Sequence, residues 1–199
     1  MQTRLPTEER QVEIVAAALR LAREFSPARI TTTEIAAVMG VTQGAVFKHF
    51  ATKDAIWLAA MNWVRGQLLS TLEEAAAAAP TALEALRAVF RAHVDFVVAH
   101  PGVPRLIFHE LQQPVDTACK QEVRTLLQAY RKMLLRLLGA AIAQGQVLAD
   151  LDQEAAATLF VGIVQGLVMQ SMLAGNMAAM SGPADHVFAI YVRGICETP

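Results

Sequence analysis

Between Ile30 and Phe50 the chain reads ITTTEIAAVMGVTQGAVFKHF, and this short stretch carries two helix starts and one helix stop. Thr31 followed by Glu34 fits a capping box, in which the threonine hydroxyl accepts from the Glu34 amide and the carboxylate reaches back to the Thr31 amide. Ile30 and Ile35 flank it as a hydrophobic staple. Gly40 stands where a helix ends in a left-handed residue, and Thr42 is an N-cap for a new helix. Two short helices joined by so tight a turn must cross at a large angle. Ile35, Met39, Val41, Val46 and Phe50 then point into that angle and against a preceding helix, with the small Ala36 where the pair comes closest. This is the helix-turn-helix pattern.

The second helix opens on Thr42, Gln43 and Gly44 and ends on Lys48 and His49, a face that a packed core does not need. In a helix-turn-helix the second helix enters the DNA major groove with its first residues at the base edges. Gln43 has the groups for a bidentate contact to adenine, Gly44 allows close backbone approach, and Thr42 can cap, bond a phosphate, or do both. Lys48 and His49 fall where phosphates border the groove. Thr52 caps the next helix and Lys53 sits in its first turn, a phosphate-binding combination. Thr32 and Thr33 are placed to hold the opposite backbone. Helix pairs with glycine turns are common in α-helical proteins. What distinguishes this one is that box, staple, stop, second cap and polar first turn coincide.

No strand pattern of useful length interrupts the rest, and the chain reads as all-α with nine helices. The first spans about Thr7 to Phe25, with Ile14, Ala18, Leu21 and Phe25 on one stripe. The second and third cover about Thr32–Met39 and Gln43–Phe50. A long fourth runs from the Thr52 cap to the alanine run before Pro80. The fifth ends before Pro101 and the sixth before Pro114. The seventh covers about Asp116–Gln144, the eighth Gln153–Ala174 and the ninth Ala184–Ile195, with GNMAAMSGPAD as a loop. A small helix-turn-helix domain, 1–53, thus precedes a larger helical domain, 54–199.

Composition agrees: 54% of the 199 residues are hydrophobic, enough for a sizeable core. Net charge is −1, distributed as +2 over residues 1–53 and −3 over the remainder, a mild asymmetry. Cys119 and Cys196 form no CxxC pair and no metal spacing, and the first ten residues hold no apolar signal region. The expectation is a cytoplasmic protein with free thiols. The uncharged run from Ala155 to Leu173 is long enough to span a bilayer, but Gln165, Gln170, Ser171 and Asn176 interrupt that region and its flank is acidic. A helix buried on both sides, in one chain or a dimer, accounts for it better. GxSxG, HExxH, GxGxxG and Walker motifs are absent from the sequence, and its histidines lack ligand spacing. An enzyme, a metal and a cofactor are therefore not expected.

Residues 10–57 resemble the DNA-binding domain of the tetracycline-repressor (TetR) family of bacterial transcription regulators. The Thr-x-x-Glu-Ile-Ala run, the Gly-Val-Thr turn, the aromatic-Lys-His-Phe end and the following Thr-Lys-Asp carry the likeness. It implies an all-helical homodimer whose two N-terminal domains read the halves of a palindromic double-stranded operator. The larger domain would bind a small-molecule effector and dimerise through its last two helices, and most members repress until the effector releases them. The family usually has tyrosine at the position of Phe47, with its hydroxyl on a phosphate. Phe47 cannot make that bond; it stays among the candidate DNA contacts through packing on sugar or on a thymine methyl, the alternative being packing against its own domain.

In the larger domain, Gly162 and Gly166 on the eighth helix would let another helix approach closely. Phe160, Val164, Leu167 and Val168, with Phe188, Tyr191, Val192 and Ile195 of the ninth, are the expected dimer interface; the alternative is an intramolecular core. Trp63, Phe90, Val94, Phe108, Tyr130, Met133, Phe160 and Met169 are candidates to line an effector pocket, which would suit a hydrophobic molecule. His109 and Glu110 are a candidate metal or acid–base pair, or else a salt-bridged or capping pair at the surface. Arg4 is a candidate for the minor groove.

Overall fold

The computed structural model describes residues 7–196 and, within them, nine α-helices, one short 3-10 helix and no strand. The helices are α1 (Thr7–Ala22), α2 (Thr32–Val38), α3 (Gln43–Phe47), α4 (Lys53–Ala77), α5 (Ala82–Ala99), α6 (Gly102–Leu111), α7 (Ala118–Ala143), α8 (Gln153–Leu173) and α9 (Ser181–Ile195). Arg4 lies outside the described residues. The chain forms two compact units: one joins the residues up to Gly66 with His100–Arg124, and the other joins Gln67–Ala99 with Thr125 onward.

In the first unit α1, α2 and α3 pack around Ile14, Val15, Ala18, Ile30, Ile35, Val46 and Phe50, all buried. The α1 helix stops at Ala22, short of the expected Phe25, because Arg23 and Glu24 close tight turns onto Arg20 and Leu21. Phe25 is consequently left on the surface, 41% exposed, with the Arg29 guanidinium over its ring. The α6 helix joins this unit and lies against the end of α1. Gly102 is the closest point: a Cβ there would sit 2.1 Å from the Leu19 carbonyl oxygen. Arg105 Nε donates to the Arg23 carbonyl at 3.2 Å beside it.

The second unit is a helical bundle closed over an aromatic core. Phe90, Tyr130, Phe160 and Phe188 are at most 1% exposed, with Phe160 edge-on to the other three. The stretch expected as a loop after α8 contains the 3-10 helix Met177–Met180, capped by Asn176, and the first turn of α9. Pro183 is tolerated there because the first turn of a helix lacks partners for its amides.

The α8 helix passes the length and composition test for a membrane span. One face is covered: Ala156, Ala157, Phe160, Val164, Leu167, Val168 and Ser171 are buried. The other is bare, with Leu159 54%, Met169 47% and Leu173 82% exposed. Burial on both sides, as expected from its all-round apolar sequence, does not occur within one chain.

Candidate nucleic-acid interface

The α2–α3 segment is fixed by local bonds at every joint. Thr31 N donates to Glu34 Oε2 at 2.7 Å and Glu34 N donates to Thr31 Oγ1 at 3.2 Å, completing the capping box. The backbone bond from Thr31 is the main cause holding the Glu34 carboxyl below its ordinary range. Gly40 ends α2 at φ +67°. Val41 N reaches back to Ala36 O and Gly40 N to Ala37 O, the two bonds of a Schellman motif. Thr42 Oγ1 accepts from Ala45 N at 3.3 Å to start α3, and Thr52 Oγ1 accepts from Ala55 N at 3.1 Å to start α4. The α3 helix is only five residues long; expected to reach Phe50, it turns off at Lys48, with His49 N and Phe50 N both bonding back to Val46 O.

This framework leaves Thr42, Gln43, Gly44, Phe47 and Lys48 exposed together on α3 and its caps. A Cβ at Gly44 would meet only Thr42 Oγ1, at 3.9 Å, so the backbone there is open to close approach. Phe47 is 46% exposed, a large apolar ring with no internal burial to explain it. Thr33 is exposed on the first turn of α2.

Two expected contacts, Thr32 and Lys53, are already engaged inside the chain, and a third, His49, is partly covered. Thr32 is buried and its Oγ1 accepts from Gln43 Nε2 at 2.8 Å. Lys53 Nζ donates to the Ala28 carbonyl at 3.0 Å and lies 3.4 Å from that of Pro27, tying the loop before α2 to the start of α4. His49 is half-buried, its carbonyl accepts from Gln11 Nε2, and its Nδ1 is buried without a hydrogen-bond partner.

The other expected site residues divide between the units. Trp63 and Phe108 are half-buried residues of the first unit. Trp57 in that unit is buried with its indole N–H unpartnered. Its carbonyl lies 3.7 Å from Cys119 Sγ, whose thiol is pushed up to about 12 by burial and then by Glu110, Glu122 and Asp54. Glu110 is buried and accepts from the Thr117 hydroxyl at 2.6 Å, whereas His109 faces Gln113; the two neighbours do not act as a pair. Among the described residues no three His, Cys, Asp or Glu side chains come together as a metal site.

Phe90, Val94, Tyr130, Met133 and Phe160 are all buried in the packed core of the second unit. His93 Nδ1 lies 3.1 Å from the Tyr130 hydroxyl, and burial pushes the imidazole down to about 4. Met169 is nine residues from Phe160, half a turn out of phase at 100° per residue, and so faces solvent instead.

The residues expected at a dimer interface are placed differently from that expectation. Phe160, Val164, Leu167, Val168, Phe188, Tyr191 and Ile195 are each at most 5% exposed within a single chain, and Val192 is half-buried. All but Val192 therefore offer almost no surface of their own outside the chain. The surface these helices do present was signalled by the glycines. Leu159, Gly162, Gly166, Met169 and Leu173 recur at helical spacing down one stripe of α8. A Cβ at either glycine would meet nothing within 4 Å. On α9, Ile190 is 62% exposed, one turn before the equally open Gly194.

Comparison with known proteins matches both parts of the chain. Residues 14–60 match the family model described as bacterial regulatory proteins, tetR family, and residues 82–187 match that of the tetracyclin repressor-like C-terminal domain. The fatty acid metabolism regulator protein of Bacillus subtilis is 22% identical over 92% of this chain and 94% of its own length. The transcriptional regulator TtgR of Pseudomonas putida is 25% identical over 92% and 90%. The crystal structure of FadR from Bacillus subtilis, in complex with stearoyl-CoA, superposes with a TM-score of 0.79 at 22% identity, covering 92% of this chain and 98% of that one. These relatives are transcriptional regulators, not enzymes. With a helix-turn-helix at its N-terminus and a matching helical domain over more than half its length, this chain belongs to the tetR family of bacterial regulatory proteins.

Proposed function

We propose that the protein is a cytoplasmic homodimer that binds a palindromic DNA operator and is released by a small hydrophobic effector, most simply as a repressor. Residues 1–53 form the reader, and residues 54–199 the effector-binding and dimerising part. The observation that carries the reading is the α3 surface: Thr42, Gln43, Gly44, Phe47 and Lys48 stand exposed on a helix pair held rigid by two caps and a Schellman turn. Polar groups fixed in place at no cost to a core are what base and phosphate contacts require. Thr33 on α2 extends the footprint, with His49 and with Lys53, which would exchange its bond to the Ala28 carbonyl for one to a phosphate.

Dimerisation is supported by the bare stripe of α8 and α9. Leu159, Met169, Leu173 and Ile190 are apolar, exposed and flanked by open glycines, a surface that a soluble protein covers with a partner. A second copy also supplies the second reader. Two readers about 34–36 Å apart, or a multiple of that, meet successive major grooves. An effector that prefers a wrongly spaced conformation lowers DNA affinity by its differential affinity for the two states.

Candidate effector contacts lie on α4 and α6 within the first unit. Trp63 and Phe108 are accessible apolar candidates, and the unpartnered Trp57 N–H is a buried polar group for an effector to satisfy. Stearoyl-CoA bound to the FadR structure makes a long-chain acyl ligand the first class to try.

Capture of fragmented genomic DNA by the purified protein, followed by sequencing, tests the reading. A shared palindrome is the expected product; a folded protein that enriches no sequence sinks the proposal. Effector affinity measured with and without that DNA tests release, and equal affinities rule it out.

A further inference from the structure

Gln43 is the most informative side chain on α3, yet a glutamine on a surface helix has many rotamers and pays to order them on binding. Here one of its amide hydrogens is already committed. Gln43 Nε2 donates to Thr32 Oγ1 at 2.8 Å, across the turn between the two helices. Thr32 is a firm anchor: it is 7% exposed, it is the first residue of α2, and it follows the capping box of Thr31 and Glu34. Its branched Cβ also restricts χ1.

A primary amide nitrogen carries two hydrogens. The one on the same side as Oε1 forms, with that oxygen, the edge that pairs with adenine: Oε1 accepts from N6–H and Nε2 donates to N7. The other hydrogen points away from that edge. A bond from it to Thr32 leaves the adenine-reading edge intact and fixes the plane in which it lies. In the structure the nitrogen end of the amide faces Thr32 Oγ1, which leaves Oε1 free for the adenine N6–H.

We infer that Thr32 is a positioning residue for base recognition, holding Gln43 with its adenine-reading edge toward the groove, rather than a phosphate contact in its own right. This rests on the reading of α3 as the DNA-contacting helix. It predicts that Thr32, without touching DNA, governs sequence preference at the one base pair that Gln43 reads.

The test is selection from a library of randomised duplexes by the full-length protein, in parallel for wild type, Gln43→Ala, Thr32→Val and Thr32→Ser. The expected result is a motif in which one adenine per half-site loses its preference in Gln43→Ala. Thr32→Val loses the same preference and no other, by about five-fold to a hundred-fold, the range of one bidentate contact. Thr32→Ser, which keeps the acceptor oxygen, retains it. Replacing that adenine with 7-deazaadenine in the selected duplex removes the N7 acceptor. It should weaken wild type and leave Thr32→Val unaffected.

A Thr32→Val protein that binds all duplexes more weakly with its base preferences intact means a phosphate or purely structural role and overturns the inference. So does a Thr32→Val protein with an unchanged motif. Thr32→Ala also removes the acceptor and reads the same outcomes should the valine variant not fold. If wild type itself selects no motif, the assignment of α3 to DNA fails with it. That result is distinct from the others, in all of which wild type selects one.

Discussion

The α2–α3 pair and the α8–α9 pair both leave part of their surface bare, and what they leave bare differs in kind. On α3 the exposed groups are mostly polar, and bonds within a few residues hold the backbone that carries them. On α8 and α9 the exposed groups are Leu159, Met169, Leu173 and Ile190 around open glycines, and long-range packing on the opposite face holds the helices in place. The first surface suits a hydrated, charged partner met by hydrogen bonds and screened by salt. The second suits permanent burial, because its exposure gains nothing in water. On the proposed reading, two partners of different chemistry would meet these two surfaces.

The sharpest break in this comparison falls between adjacent residues. Phe160→Ala removes a fully buried ring from the second unit and should cost about 3–5 kcal/mol in urea unfolding. Leu159→Glu, one residue earlier on the exposed stripe, should leave the fold intact and instead shift the sedimentation mass from dimer to monomer. If Leu159→Glu remains dimeric at micromolar concentration, the stripe is not the interface.

His93 provides the next effect. Its folded value of about 4 lies below the ordinary 6.5 because burial disfavours the charged form. Between those values the unfolded chain binds more protons, so the contribution is fully present above pH 6.5 and is lost as pH falls toward 4. Moving from pH 7 to pH 5 should cost about 2 kcal/mol through this group alone. His93→Gln should flatten that part of the profile in unfolding experiments, and an unchanged slope would show that the ring is not sealed from solvent.

The same two regions differ in how much of them is legible from residues alone. Thr31, Glu34, Gly40 and Thr42 act on neighbours at most five positions away, so their pattern predicts their bonds, and all four behave as read. Helix α3 is shorter than its apolar spacing implies because His49 N closes a tighter, three-residue turn onto Val46 O. On α8 the local pattern fails for a physical reason. A helix apolar on all sides has no preferred face, and only its packing against α5 and α9 decides that Phe160 turns in while Met169 turns out. The engagement of Thr32 with Gln43, and of Lys53 with the Ala28 carbonyl, was equally invisible, since each depends on where one side chain comes to rest against a different element. The approach of Gly102 to the Leu19 carbonyl, across eighty residues of chain, is of the same kind.

Glycine substitutions sharpen the contrast at smaller magnitude. Gly40→Ala forces an ordinary residue to φ +67°, where no neighbour lies within 4 Å of the new Cβ, so the cost is conformational only, about 1–2 kcal/mol. Gly162→Ala also meets open space, but in a helix interior, where alanine gains about 0.5–1 kcal/mol over glycine. The monomer should become more stable while the dimer becomes weaker, since the added methyl holds the partner helix away. A dimer unaffected by this variant would place the close approach elsewhere.

The smallest expected effect isolates the local logic of the reader. Thr31→Ala deletes the capping hydroxyl of α2 and should cost about 0.5–1 kcal/mol, within the range for losing an N-cap. The pH profile separates the two halves of the box. Glu34 is held below its ordinary 4.5 first by the Thr31 backbone bond, then by the Thr31 hydroxyl. A depressed carboxyl contributes stability above its unfolded value and loses it as pH falls through the folded one. Because the backbone bond survives in Thr31→Ala, this variant should keep most of the acid-dependent loss, whereas Glu34→Gln should abolish it. If Thr31→Ala flattens the acid limb as completely as Glu34→Gln does, the hydroxyl and not the backbone amide orders the carboxylate. The start of α2 then depends on its side chain alone.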